Sequence, residues 1–244
     1  MKAMIFAAGL GTRLKPITDT LPKALVPIAG KPLLEHVILK LKASGFDEIL
    51  INVHHFPDQI IDFIRANHAF DIRIEISDES NMLLDTGGGV KKAIAFFDDK
   101  KPFLVHNVDI LSNINLTELY NQHLRTNPLA TLVVSNRNTF RYLLFADDMR
   151  LCGWINEKTA ETKPADLHHP ERYNKLAFSG IQVLSPQVFD FMDSYPDKFS
   201  IMDFYLQNCS KNNILGFEPS EYKMLDVGKL DVLDEAERFV INSY

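Results

Sequence analysis

An apolar run, Ala3-Met4-Ile5-Phe6-Ala7-Ala8, breaks into Gly9-Leu10-Gly11-Thr12-Arg13, which reads as a buried strand entering a glycine loop. The spacing then becomes helical: Leu33, Leu34, Val37, Ile38 and Leu41 share one face over residues 33–43, closed by Gly45. Residues 49–53 form a second buried run. Ile60, Ile61 and Ile64 mark a helix begun near Pro57, and residues 72–76 alternate as a strand. Val90, Ala93, Ile94 and Phe97 continue a helix opened by Thr86 and three glycines, before a fourth strand at 103–105.

Strands alternating with helices at this spacing imply βαβ units, hence an α/β fold. The expectation is a single Rossmann-like domain whose mixed, mostly parallel sheet is covered by helices on both faces. Ligands bind at the carboxyl ends of such strands, which directs attention to residues 8–13, 85–89 and 106–109. After a helix at 116–124 the texture turns strand-rich: residues 130–135, 142–146, 151–155 and 177–184, with Asp147-Asp148 at a hairpin turn. Residues 156–175, with Pro164, Pro170 and His168-His169, read as a substrate-side loop. A helix over 230–241 ends the pattern.

The 244 residues are 46% hydrophobic and 24% charged, the balance of a folded globular chain. A core can be buried at this length without disulfides, so one domain over residues 1–244 is expected. Cys152 and Cys209 lack CxxC spacing and read as free thiols in a reducing cytoplasm. The formal net charge of −6 argues against general nucleic-acid binding, although a few cations can still make one phosphate pocket. The apolar run at 3–10 is far shorter than the roughly 20 residues of a membrane-spanning helix, so no membrane partner is expected.

The chemistry concentrates in Gly9-Leu10-Gly11-Thr12-Arg13-Leu14-Lys15-Pro16-Ile17-Thr18, followed by Pro22-Lys23-Ala24-Leu25-Val26-Pro27 and Gly30-Lys31-Pro32. Glycines let backbone amides approach a phosphate, and an adjacent Arg grips its oxygens with a planar fork. The string is not a Walker A loop, which needs Lys then Ser or Thr after its second glycine. Nor is it a dinucleotide fingerprint, because Leu14 and Lys15 supply no third glycine and no acidic residue follows at the required distance. An oxidoreductase is therefore disfavoured.

With Leu84-Asp85-Thr86-Gly87-Gly88-Gly89, Asn107-Val108-Asp109, Phe178-Ser179-Gly180-Ile181 and Leu225-Asp226-Val227-Gly228, the chain resembles the sugar-1-phosphate nucleotidyltransferases over nearly its whole length. Within that family it is most similar to the short N-acetylmuramate-1-phosphate uridylyltransferases of cell-wall recycling, and next to mannose-1-phosphate guanylyltransferases. The resemblance implies Mg²⁺-dependent transfer of a nucleotidyl group from a nucleoside triphosphate to a sugar 1-phosphate. It also implies a nucleotide-binding half at 1–112 and a sugar-binding half at 113–244, in a monomer or small homo-oligomer.

By matching position, Arg13 neutralises the leaving portion of the triphosphate and Lys23 steadies the reacting phosphates. Ala8, Gly9, Gly11, Thr12 and Arg13 hold the nucleotide, with Gly87 and Gly88 near the base. Asp78 or Glu79 accepts a ring N–H of uracil or guanine, which disfavours adenine. Asp109 and Asp226 match the two metal carboxylates, although Val108 stands where the family commonly has Gly. Asn107, Lys163, Ser179 and Gly180 fall to the sugar phosphate, Lys163 from Glu161-Thr162-Lys163-Pro164, an Glu-Lys-Pro segment with one insertion. His54-His55, His106 and His168-His169 lack the spacing of a zinc site. UTP with N-acetylmuramate 1-phosphate is the favoured pair, and GTP with mannose 1-phosphate or another hexose 1-phosphate is the alternative. A nucleotide-sugar sensor without turnover is the rival from another class; it would be expected to lack Arg13, Lys23 or a metal carboxylate, and all four are present.

Overall fold

A computed structural model describes residues 1–243; Tyr244, the last residue of the expected domain, lies outside the described residues. The first half runs β1 (Lys2–Phe6), β2 (Pro27–Ile28), β3 (Lys31–Pro32), α1 (Leu33–Ala43), β4 (Glu48–Val53), α2 (Pro57–Ala66), β5 (Arg73–Asp78), α3 (Asp85–Lys92), β6 (Phe103–Asn107) and β7 (Ile110–Ser112). The second runs α4 (Leu116–Thr126), β8 (Ala130–Ser135), β9 (Arg141–Phe145), β10 (Leu151–Asn156), β11 (Glu161–Lys163), β12 (Asn174–Leu184), α5 (Val188–Met192), α6 (Ile201–Asn208), β13 (Ile214–Phe217), β14 (Met224–Asp226) and α7 (Leu233–Ser243).

Ten strands form one mixed sheet in the order β11-β10-β9-β12-β6-β1-β4-β5, with β8 pairing β12 and β13. Its N-terminal half is parallel, β6-β1-β4-β5, because each strand returns through a helical crossover. The other half is largely antiparallel, since β9, β10 and β11 are joined by hairpins and β12 runs against β6, β8 and β9. Continuous apolar runs suit strands covered on both faces. In β1, Ala3 and Ile5 pack on one side with residues of α1, α2 and α4, while Met4 packs on the other with α3, α5 and α6.

A third cluster positions the site. Leu14, Val26, Ile28, Leu33, Leu111, Val227 and Ala236 gather beneath the N-terminal loops and the two-stranded β7/β14 ladder. Leu14 and Val227 are adjacent in sequence to Arg13 and Asp226. Burying each is worth about 1.5–3 kcal/mol and pins its charged neighbour to the surface.

The structure amends several elements. Lys2 begins β1, and Ala7 and Ala8 already belong to the loop. The helix opened by the glycines ends at Lys92 and a short 3₁₀ turn follows at Ala93–Ala95, leaving Ile94 exposed. The expected loop at 156–175 contains β11, so Lys163 lies on a strand. The last α-helix starts at Leu233, after a 3₁₀ turn at Leu230–Val232. The short elements β7, β13, β14, α5 and α6 have too few residues to show a period.

Candidate active site

A cleft of about 450 Å³ opens at the carboxyl ends of β1 and β6. Ala8, Gly9, Gly11, Thr12 and Arg13 line it, as do Lys23, Glu79, Asn107 and Asp109. The loop depends on Gly11. Its φ of +64° is left-handed, and a Cβ would lie 2.9 Å from Thr18 Cγ2 and 3.1 Å from Lys23 Cβ. Thr18 Oγ1 and Leu14 N both donate to Gly11 O, each at 2.8 Å, so a 3₁₀ turn at Thr12–Leu14 carries Arg13 to the rim. A Cβ on Gly9 would meet nothing within 4 Å; glycine there leaves space over the backbone.

Lys23 sits in a 3₁₀ turn at Lys23–Leu25, held by Leu25 N donating to Pro22 O at 2.8 Å. Its side chain is nearly buried, and Nζ pairs with the Asp109 carboxylate. Asp109 follows β6, where Val108 N donates to Phe6 O at 3.1 Å, and Asp109 O accepts from Val227 N at 2.8 Å. With Asp226 opposite Ile110 in the β7/β14 ladder, the two carboxylates are brought to one place from distant parts of the chain. Desolvation, and then the charge of Asp109, raise the pKa of Asp226 above the ordinary carboxylate value, against the opposing pull of Lys23, Arg13 and Arg137. Val108 is buried in the core on the cleft's edge.

Gly228 also lines the cleft. A Cβ there would stand 2.7 Å from both Arg13 Nη2 and Asp226 Oδ1, so its absence lets guanidinium and carboxylate pack over the backbone. Gly180 plays the matching part beneath Asn107: its φ is +73°, and a Cβ would come 2.8 Å from Asn107 Nδ2. Beside Asn107, burial lowers the pKa of His106 to about 4, keeping it neutral, while its Nδ1 lies 2.8 Å from Asn107 O.

Other expected site residues stand outside the cleft or are engaged by the protein itself. Gly87 N and Gly88 N donate to Phe199 O at 2.9 and 3.3 Å, and neither residue lines the cleft. A Cβ on Gly88 would fall 2.0 Å from Asp197 O, and one on Gly87 2.4 Å from the Phe199 ring. These glycines let α3 dock on the 197–199 segment, and the cleft wall is formed instead by Leu83, Asp85 and Thr86. Glu79 is 2% exposed and both its carboxylate oxygens accept protein hydrogen bonds, from Asn52 Nδ2 and Leu84 N. Asp78 lies outside the cleft and accepts from Ser80 N at 2.8 Å. Lys163 does not line the cleft either: it pairs with Asp203 of α6 at 3.0 Å and lies over the Trp154 ring. Ser179 is buried, its hydroxyl 3.5 Å from that of Ser135.

Asn52 and Gly228 line the cleft although the sequence reading assigns them no role, and Arg137, which does not line it, bears on Asp226 through its charge. Asn52 hides within an apolar strand run, Gly228 within the Leu-Asp-Val-Gly string, and Arg137 in a loop after β8 without a motif. Arg137 Nη2 donates to Phe178 O at 3.1 Å, which holds it on the β12 side of Asp226. The histidines do not assemble with other ligands; among the described residues no three His, Cys, Asp or Glu side chains gather into a metal-holding group.

Comparison with known proteins identifies the family and the fold. The model of the nucleotidyl transferase family matches residues 2–243. An N-acetylmuramate alpha-1-phosphate uridylyltransferase of Neisseria meningitidis is 30% identical over 246 residues, covering 97% of each chain. A UTP–glucose-1-phosphate uridylyltransferase of Synechocystis is 29% identical over 258 residues, covering 99% of this chain, which spans 64% of that protein's length. A solved UDP-glucose pyrophosphorylase from Acinetobacter baumanii superposes with a TM-score of 0.78 at 15% identity, over 98% of this chain and 92% of that one.

Proposed function

Because the chain belongs to the nucleotidyl transferase family, we propose that it transfers a uridylyl group from UTP to N-acetylmuramate 1-phosphate, giving the nucleotide sugar and pyrophosphate. The observation that carries this choice is the meningococcal relative, 97% of which this chain matches. The cleft supports it: Arg13, Lys23 and Asp109 line it at the ends of β1 and β6, where a triphosphate would lie along the glycine loop, and Asp226 stands beside Arg13 over Gly228.

The reaction needs no covalent enzyme intermediate. An anomeric phosphate oxygen attacks the α-phosphorus in line, the bond to the α–β bridging oxygen breaks, and its electron pair leaves with pyrophosphate. Arg13, at the rim and free of the core, is placed to neutralise that departing charge through its planar fork. Lys23 reaches the floor of the same space and is placed to hold the reacting phosphates. In the protein alone it is balanced by Asp109, which keeps a bare carboxylate from repelling an incoming polyanion.

Asp109 and Asp226 suit Mg²⁺. They are hard oxygen donors, and after desolvation the charge of Asp109 is what raises the pKa of Asp226, a repulsion that a divalent cation would relieve. Bound there, Mg²⁺ would neutralise phosphate oxygens and hold the two substrates in line. Asn107, fixed against Gly180, is placed to hydrogen-bond sugar or ribose hydroxyls. Both substrates are water-soluble anions, in keeping with the expected cytoplasmic setting, and among the described residues no helix is long and apolar enough to cross a membrane.

A matrix of nucleoside triphosphates against sugar 1-phosphates with Mg²⁺, read by pyrophosphate release, tests the proposal. Release with UTP and N-acetylmuramate 1-phosphate is expected to dominate. Release with GTP and mannose 1-phosphate alone overturns the substrate assignment, and no release in any combination favours a sensor.

A further inference from the structure

Two polar side chains in the cleft wall are fully engaged by the protein itself. Asn52 is 3% exposed; its Oδ1 accepts from Ala7 N at 2.8 Å and its Nδ2 donates to Glu79 Oε1 at 2.8 Å. Glu79 Oε2 in turn accepts from Leu84 N at 3.1 Å. The Glu79 backbone is fixed as well, N donating to Val53 O at 2.8 Å and O lying 2.7 Å from His54 Nδ1. Gly89 leaves the room this requires, since a Cβ there would come 3.1 Å from Glu79 Oε1 and 3.3 Å from Asn52 Nδ2.

The ends of this relay are informative. Ala7 N is where β1 gives way to the glycine loop, and Leu84 precedes α3 within the segment whose Leu83, Asp85 and Thr86 line the opposite wall. One amide and one carboxylate therefore tie the phosphate side of the cleft to its other wall. Only a carboxylate can serve at position 79: it offers an oxygen to each of two N–H donors, whereas a glutamine amide would turn its own N–H toward one of them. A buried donor left facing a donor costs about 1–3 kcal/mol. Glu79 also sets a negative charge away from Arg13 and Lys23, so a polyanion is driven toward the cationic end of the cleft.

We propose that Asn52 and Glu79 are positioning residues for nucleotide recognition, fixing the 83–86 wall against the glycine loop without contacting the base. This rests on reading the cleft as a nucleoside triphosphate site, and it replaces the expectation that Glu79 accepts a ring N–H of the base.

The experiment compares UTP with 3-deaza-UTP, which lacks the ring N–H donor, in the wild type, Glu79→Gln, Glu79→Ala and Asn52→Ser, with melting temperatures measured alongside. Each variant is expected to raise the KM for both nucleotides by the same factor, about tenfold, with kcat within twofold and the KM for the sugar phosphate unchanged. Asn52→Ser leaves Glu79 in place, so it keeps the comparison available if a Glu79 variant does not fold. A rise at least fivefold larger for UTP than for 3-deaza-UTP in the Glu79 variants makes Glu79 a direct base reader and overturns the proposal, as does an unchanged KM in all folded variants. If the wild type uses GTP in place of UTP, the substrate assignment fails and the same comparison is made between GTP and 1-deaza-GTP. A wild type inactive with either nucleotide removes the nucleotide site itself, a failure distinct from that of the relay.

Discussion

The two ends of the cleft are built on opposite principles. At one end Arg13, Lys23, Asp109 and Asp226 are charged groups on short turns and a two-stranded ladder, with Lys23 paired to Asp109 and with Arg13 and Asp226 both packed over Gly228. At the other end Asn52, Glu79, Leu84 and the α3 glycines are bound by hydrogen bonds to neutral backbone and amide groups. Charges that pair with one another can exchange partners when a phosphate arrives, whereas a hydrogen-bonded wall can be exchanged only by breaking it. The difference fits the roles proposed for them, catalysis at the first end and recognition at the second.

The largest test removes a charge at the catalytic end. Asp109→Asn keeps the shape but loses the anion opposite Lys23, and turnover is expected to fall by about 10²–10³-fold with the melting temperature little changed, measured by pyrophosphate release and thermal unfolding. A fall confined to stability would place Asp109 in the scaffold instead. Next comes a disruption of the rigid end. Gly88→Ala drives a Cβ toward Asp197 O and is expected to cost about 1–3 kcal/mol of stability by denaturant titration, since backbone there has no room to yield.

A smaller effect sharpens the boundary between the ends. Gly228→Ala crowds Arg13 Nη2 and Asp226 Oδ1 together, and kcat is expected to drop about tenfold, roughly the factor that 1.4 kcal/mol represents, while the fold persists. An unchanged kcat would show that Arg13 acts from another position. The smallest concerns pH. The raised pKa of Asp226 means that ionising it costs the folded state, a cost present above its folded pKa and relieved as pH falls through that value. Asp226→Asn is therefore expected to raise the melting temperature slightly at pH 7, with the gain vanishing at pH values where the wild-type carboxyl is protonated. The histidines work in the opposite sense: His106 and His123, both lowered to about 4 by burial, favour the folded state above 6.5, and that advantage is lost as pH falls from 6.5 toward 4.

Much of the frame was legible along the chain. The alternation of apolar runs with helical faces yields β1, α1, β4, α2, β5 and β6 nearly in register, because strands buried on both sides must be continuously apolar. The glycine loop was legible for a similar reason: Gly11 has a backbone angle and a crowded neighbour that few other residues accept. The α3 glycines show the limit of such a reading. A glycine records that something approaches closely, but not what; at Gly87 and Gly88 it is the 197–199 segment of the same chain. For Glu79 the sequence left the partners open, since a carboxylate in a motif does not reveal that its oxygens accept from Asn52 Nδ2 and Leu84 N.

What the sequence determined by itself was local: which stretches must be strands, where the backbone must turn tightly, and which residue types with phosphate and metal chemistry are present. These follow from sterics and burial within a few residues. The approach of Asp226 to Asp109, the pairing of Lys163 with Asp203 outside the cleft, and the relay from Ala7 through Asn52 and Glu79 to Leu84 were decided by tertiary structure. Each joins residues far apart along the chain, and such contacts exist only once the sheet has set the distances between its strand ends.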